Sequence, residues 1–340
     1  GKISSLAQQR QNPTQLLTDV KPFKNVIFVV YESVRWNSTM QTKSLDGISP
    51  ELKRLATEGL SHKTYVAIPH SSKAYHSLLT GRYSAPGIEI LEAAHAKTTT
   101  IWHELKARRG MKTFAFSALH LGFENMRGQL KAAGIDEISD AQEISTLGDN
   151  QALKSASSFG GGDEQMYVNG IRRLGANGVE PFVAYFFPVA AHYPYECEGS
   201  VVGRRAYPDY QACIRYSDQL LKRVTQWLSN SQLGKDTLLV VIGDHGESFG
   251  ERGLFVHNSS LFNEEVTVPC VLWSSDGRLS KHKWPLEGRQ IDLIPTIADL
   301  LGAIDLDVPV QGVSLLRRPV NAPMQTMYFS TFYDGLGLAV

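Results

Sequence analysis

Two stretches do most to limit what this chain can become: NVIFVVYES at residues 25–33 and TLLVVIGDHGES at 237–248. Each is a continuous β-branched run that stops abruptly on acidic residues. A strand apolar on both sides must be covered on both faces, as in a largely parallel sheet between helices. PFVAYFFPVAAHYPY (181–195) and MKTFAFSALH (111–120) read as further strands of the same kind. Helical segments fall between them. KTTTIWHELKARRG (97–110) has a Thr-rich start and a Gly stop, YQACIRYSDQLLKRVTQWLSN (210–230) is apolar at helical period, and RQIDLIPTIADLLGA (289–303) ends its apolar stripe at Gly302. The alternation predicts an α/β fold with a mostly parallel central sheet sandwiched by helices.

In such sheets ligands collect just beyond the carboxyl ends of the strands. Glu32 stands there on the first run, and Asp244 with His245 on the second. Two carboxylates and an imidazole, all at the carboxyl ends of sheet strands, suit a divalent metal. AIPHSSKAYHSLLTGRY (67–83) supplies a second element: Ser71 and Ser72 precede a helical stretch, where an N-cap would sit. The N–H groups and dipole of a helix start favour anions. A serine there, beside a metal, could attack phosphorus, with Lys73 as a cation for the phosphate oxygens. The plain alternative is an ordinary Ser-Ser cap next to a solvated lysine.

The bulk numbers narrow the partners. Lys+Arg and Asp+Glu are both 34, so no net field favours nucleic acid or an anionic membrane. No apolar run reaches the roughly eighteen residues a spanning helix needs. The opening, GKISSLAQQRQNPTQ, is polar, and residues 1–23 read as a linker or trimmed start before a catalytic domain at 24–340. Cys197 and Cys213 flank a turn-rich stretch, where a disulfide and two free thiols both remain open. Cys270 begins an apolar run and reads as a buried core thiol. Residues 145–165, small and Gly-rich, read as a mobile loop near the site.

In order and spacing these segments resemble the alkaline phosphatase/sulfatase superfamily, from about residue 24 to about residue 320. Leu78-Leu79-Thr80-Gly81-Arg82 is similar to the stretch that follows the sulfatase nucleophile, and counting back places Ser71 at that position. GDHGESFGERGLFVHNSSLFNEEVTVPCVLW (243–273) resembles the family's later metal segment. RQIDLIPTIADLLGAIDLDVPVQGVSLL resembles its Asp-Leu-Pro-Thr helix and Gly-x-Ser-Leu-Leu ending. Where the formylglycine-forming machinery reads Pro or Ala and then Arg, this chain has Lys73 and Tyr75, which speaks against sulfate-ester hydrolysis at Ser71. The single Glu32 is similar to the lipoteichoic acid synthase and phosphoethanolamine transferase branches.

That resemblance implies a metal-dependent hydrolase or phosphotransferase. Glu32, Ser71, Asp244 and His245 would hold one divalent ion, Mn²⁺ before Zn²⁺, Mg²⁺ or Ca²⁺, and Ser71 would form a covalent phospho-enzyme. His192, in AAHYPY, would protonate the leaving group or touch phosphate. His257 would bind phosphate or a second metal, and Lys73 the substrate. The substrate would be a small-molecule, lipid or glycan phosphate ester. The setting would be extracytoplasmic, with a membrane anchor upstream of this sequence and a short C-terminal antiparallel element beginning near 327–340. His70, His76, His103 and His120 are less well placed, with His103 structural and His70 and His120 candidates for the pocket wall. Arg35 and Asn37 read equally as pocket-facing or as a solvated helix start. Two rivals stand: a sulfatase of unusual motif, and a non-catalytic binding module on the same fold.

Overall fold

The computed structural model describes residues 4–5, 20–40, 48–87, 99–146, 162–176, 178–200, 207–280, 282, 284–285, 287–303, 305–318, 326–333 and 337–339. Its centre is an eight-stranded sheet. In chain order the strands are β1 Asn25–Tyr31, β2 Leu60–Tyr65, β3 Lys112–Ser117, β4 Glu137–Ser139, β5 Phe182–Phe187, β6 Thr237–Gly243, β7 Thr267–Trp273 and β8 Glu287–Arg289. Spatial order runs β8-β2-β7-β6-β1-β5-β3-β4. Only β7 runs against its neighbours, antiparallel to β2 and to β6. The α/β expectation is therefore met, with the four strands read from the sequence forming the block β6-β1-β5-β3.

β1 and β6 are buried at every position, as their unbroken apolar runs require. The principal helices are α1 Pro50–Glu58, α2 Ser71–Thr80, α3 Ile101–Arg109, α4 Met126–Ala132, α5 Asp163–Leu174, α6 Tyr207–Asn230 and α7 Leu293–Leu300. α6 packs on α1 and α5, while α2 packs on α4 and α7, so helices flank the sheet. In the core, Phe28 of β1 stacks on Tyr185 of β5 at 4.4 Å, and Trp102 of α3 meets both rings edge-on. Such pairs contribute about 1 kcal/mol each beyond their area.

Several boundaries move. The strand read across 181–195 stops at Phe187, because Pro188 has no N–H to continue the ladder. Residues 145–146, read as loop, end a short helix, Ala141–Thr146, and 163–165 already belong to α5; residues 147–161 of that segment lie outside the described residues. Cys197 and Cys213 are joined as a disulfide, and Cys270 is a buried free thiol. Near the C-terminus Tyr328–Ser330 pairs antiparallel with Gly337–Ala339. Among the described residues no helix is long and apolar enough to cross a membrane.

Candidate active site

The register of the sheet builds the site. β1 and β6 pair up to Tyr31 opposite Gly243, so the next residue of each, Glu32 and Asp244, leaves the sheet beside the other. The chain turns sharply there, with Ser33 at φ 57°. Tyr210 of α6 secures the turn: its hydroxyl donates to the Ser33 carbonyl at 2.7 Å and accepts the Arg35 N–H at 3.1 Å. Ser33 N–H and His245 N–H both donate to Asp244 Oδ1, at 2.9 and 2.6 Å. Asp244 Oδ2 is buried without a hydrogen-bond partner. Gln290 donates to the carbonyls of Gly243 and Asp244 at 3.2 and 2.6 Å.

His245 completes the cluster. Its Nδ1 lies 2.9 Å from the Gly246 carbonyl, which can only accept, so the partner assigns the proton to Nδ1 and leaves the Nε2 lone pair for the cluster. Nε2 lies 3.5 Å from Glu32 Oε1 and 3.5 Å from Asp244 Oδ2. Ser71 Oγ lies 3.2 Å from His245 Nε2 and 3.2 and 3.3 Å from the two oxygens of Glu32. Ser72 is turned elsewhere, with its Oγ 3.0 Å from His70 Nδ1 and no exposure. Of the two serines, the fold brings Ser71 to the cluster. Neither serine is the cap: His70 holds that position, and Ser71 opens the helix.

The electrostatics are those of a place that suits a cation. Burial pushes the Asp244 carboxyl up to about 7. It raises Glu32 too, with repulsion from Asp244 adding to it, and it drives the His245 imidazole down to about 4. One donor atom from each of Glu32, Asp244 and His245 falls within 4.8 Å of the others. Oxygen donors short of counter-charge, an orphaned carboxylate oxygen and an imidazole in the ligating tautomer fit a divalent cation.

Further titratable groups lie beside this cluster. His257 Nδ1 lies 3.2 and 3.4 Å from the two oxygens of Glu247. Glu247 is wholly buried, which pushes its carboxyl up to about 8. The ring of His257 is 4.1 Å from that of His245 and 6.4 Å from that of His192. Val256 and Asn258, on either side of His257, have φ of 62° and 88°; a β-branched residue held there marks strain the surrounding structure must impose. Lys73 is 1% exposed, so the reading of it as a solvated lysine fails. His70 stacks on Phe332 at 3.7 Å and faces Glu124 at 3.4 Å. His120 is exposed, and His103 is engaged in the cap of α3. Arg35 is neither solvated nor at the cluster; it is buried, paired with Glu251 at 2.6 Å, beneath the Tyr207 and Phe249 rings.

Sequence reasoning missed Glu247, Tyr210 and Gln290. Glu247 carried a signal, standing three residues past Asp244 in the same acidic segment. The other two reach the site from helices far away in the chain, and nothing in their local pattern announces it.

The Sulfatase family model matches residues 24–303. The chain belongs to the Sulfatase family. The chain is 26% identical over 113 residues to phosphatidylethanolamine transferase Mcr-2 of Escherichia coli, covering 31% of this chain and 21% of that protein. It is 31% identical over 115 residues to a choline-sulfatase of Rhizobium meliloti, covering 33% of this chain and 22% of that protein. The aligned stretches thus span about a fifth of those relatives' lengths. The crystal structure of the lipoteichoic acid synthase LtaP from Listeria monocytogenes superposes with a TM-score of 0.73 at 19% identity, over 98% of this chain and 90% of that one. At that identity the likeness is one of fold. The alkaline phosphatase/sulfatase resemblance read from the motifs therefore stands.

Proposed function

We propose that this sulfatase-family chain is a metal-dependent phosphoric ester hydrolase or phosphotransferase, acting on phosphodiesters of the phospholipid-headgroup type through a covalent phospho-Ser71. The observation that carries the reading is the placement of Ser71 Oγ, at the start of a ten-residue helix, 3.2 Å from His245 Nε2 and 3.2–3.3 Å from Glu32. A hydroxyl held against a carboxylate that can take its proton, at a helix N-terminus that favours anions, is an arrangement for attack on a phosphate.

A divalent ion, Mn²⁺ on this reading, would be held by Glu32, Ser71, Asp244 and His245 and would supply Lewis acidity and charge neutralisation. The steps themselves belong to the chain's residues. Ser71 Oγ gives its proton to Glu32 and forms a bond to phosphorus. The bond from phosphorus to the leaving alcohol breaks, and His192 supplies the proton that alcohol needs. The N–H groups of α2, Lys73 and His257 take the charge of the phosphate oxygens. An acceptor then attacks phospho-Ser71, giving its proton to His192; the bond from phosphorus to Ser71 Oγ breaks, and Glu32 returns its proton to the serine oxygen. Water as acceptor gives hydrolysis; a sugar or lipid hydroxyl gives transfer. The Cys197–Cys213 disulfide supports work in an oxidising compartment, outside the cytoplasm.

The likeness to a choline-sulfatase favours sulfate-ester hydrolysis as the second reading; Lys73 and Tyr75, in place of Pro and Arg, weigh against it. Purified chain with and without Mn²⁺ on bis-p-nitrophenyl phosphate, p-nitrophenyl phosphate and p-nitrophenyl sulfate separates the two. Metal-dependent turnover of the phosphates, lost in Ser71→Ala, is the expected result. Turnover of the sulfate alone would overturn it.

A further inference from the structure

Asp163 opens α5, and no role for it follows from the cluster described above. Its carboxylate spans two backbone donors: Val189 N–H reaches Oδ1 and Ala190 N–H reaches Oδ2, each at 3.0 Å. Those residues are the first past β5 and Pro188, where the ladder has ended. The same short loop carries His192, whose N–H donates to the Val189 carbonyl at 2.9 Å and whose carbonyl accepts Tyr195 N–H at 2.8 Å. The bracket on Val189 and Ala190 therefore fixes the turn from which the His192 side chain projects.

Placing a carboxylate there is costly. Asp163 is 3% exposed, and among the described residues no cation pairs with it. Burial raises its carboxyl to about 6, with only the two loop N–H groups opposing that. Stabilising the dipole of α5 does not require the burial, since Glu164, exposed in the same first turn, already serves. What an ionised carboxylate offers, and asparagine does not, is two acceptors at once.

We propose that Asp163 is a positioning residue that holds the His192 loop in register for proton transfer, an inference that rests on the role proposed above for His192. Misplacement of a proton donor by about 1 Å can cost on the order of a hundredfold in rate. Asparagine at 163 keeps the size, loses one acceptor, and turns an amide N–H₂ against a backbone N–H.

The test compares Asp163→Asn, His192→Ala and the double variant on bis-p-nitrophenyl phosphate at saturating Mn²⁺. Asp163→Asn is expected to lower kcat by about tenfold or more, with KM and the Mn²⁺ half-saturation within about twofold of the parent. The double variant is expected to be no slower than His192→Ala alone, because both changes remove one function. Three results would overturn the proposal: parental kcat in Asp163→Asn, losses that multiply in the double variant, or a loss carried by KM or metal affinity. The His192 single variant tests the underlying reading separately: at parental rate it removes His192 from the chemistry, whatever Asp163→Asn does. If Asp163→Asn does not fold, Asp163→Ser, whose hydroxyl keeps one acceptor, enters the same comparison with the same criteria.

Discussion

His245 and His62 are both buried, and burial lowers the pKa of both, to about 4 and about 3. There the likeness ends. Two carboxylates and a serine hydroxyl converge on His245 Nε2 within 3.5 Å. His62, on β2, has Thr64 Oγ1 at 2.8 Å and the Trp284 ring at 4.7 Å, and its Nδ1 lies buried without a hydrogen-bond partner. Desolvation alone therefore does not make a site. Groups that call for the same counter-charge, delivered together by adjacent strand ends, do. His62 is a buried aromatic in a sheet, and its cost is borne by stability.

The comparison breaks most decisively at Ser71. Ser71→Ala should reduce Mn²⁺-dependent phosphodiester turnover by about 10⁴-fold or more, while Ser72→Ala stays within about tenfold of the parent. Equal losses at both positions, measured as initial rates, would remove Ser71 from its assigned role.

Asp244→Asn should raise the Mn²⁺ half-saturation concentration by about a hundredfold. The same change should stabilise the metal-free chain. The folded pKa of about 7 stands above the ordinary 3.8, so this carboxyl's contribution is fully present below 3.8 and is lost as pH rises through 7. At pH 8 the ionised group costs on the order of 2 kcal/mol or more, allowing for relaxation. Asparagine keeps an Oδ1 for the Ser33 and His245 N–H groups. Opposite signs for metal affinity and metal-free melting temperature are the signature of a cation site; a fall in both would mean that Asp244 is merely structural.

At His62 the effect should be on stability alone. Its folded pKa lies below the unfolded 6.5, so its contribution is present above 6.5 and is lost progressively as pH falls from 6.5 toward 3. That amounts to about 1.4 kcal/mol per pH unit across the window. His62→Gln should flatten the fall in denaturant midpoint between pH 6.5 and 4.5 and leave turnover at pH 7.5 unchanged. Loss of turnover in the folded variant would tie β2 to the chemistry.

The parts of this molecule legible in its sequence are those in which one segment carries the whole signal. β1 and β6 were readable because full burial demands unbroken apolar runs, and Glu32, Asp244 and His245 because they end those runs. β2 was not, since LSHKTY alternates Leu60, His62 and Thr64 inward with polar neighbours outward. Nor was β7, which holds Pro269 within the strand. Pro269 is tolerated because it pairs only with β2, while contact with β6 begins at Cys270. Tyr210, Gln290 and Asp163 act through backbone atoms of distant segments, and no local pattern encodes such a contact.

A third histidine gives the smallest expected effect and closes the gradation from site to surface. His103 was read as structural, and it is the third residue of α3, in a capping box with Thr100. Thr100 N–H donates to His103 Nδ1 at 3.2 Å, so imidazole stands where Glu or Gln usually does. His103→Gln should therefore preserve the box and the melting temperature. His103→Ala, leaving the Thr100 N–H unserved, should cost about 0.5–1 kcal/mol by chemical denaturation. Neither change should alter kcat or the Mn²⁺ requirement, because a cap fixes only its own turn. If alanine and glutamine proved equally costly, the ring would be packing against Gly134, which it approaches closely, rather than capping the helix.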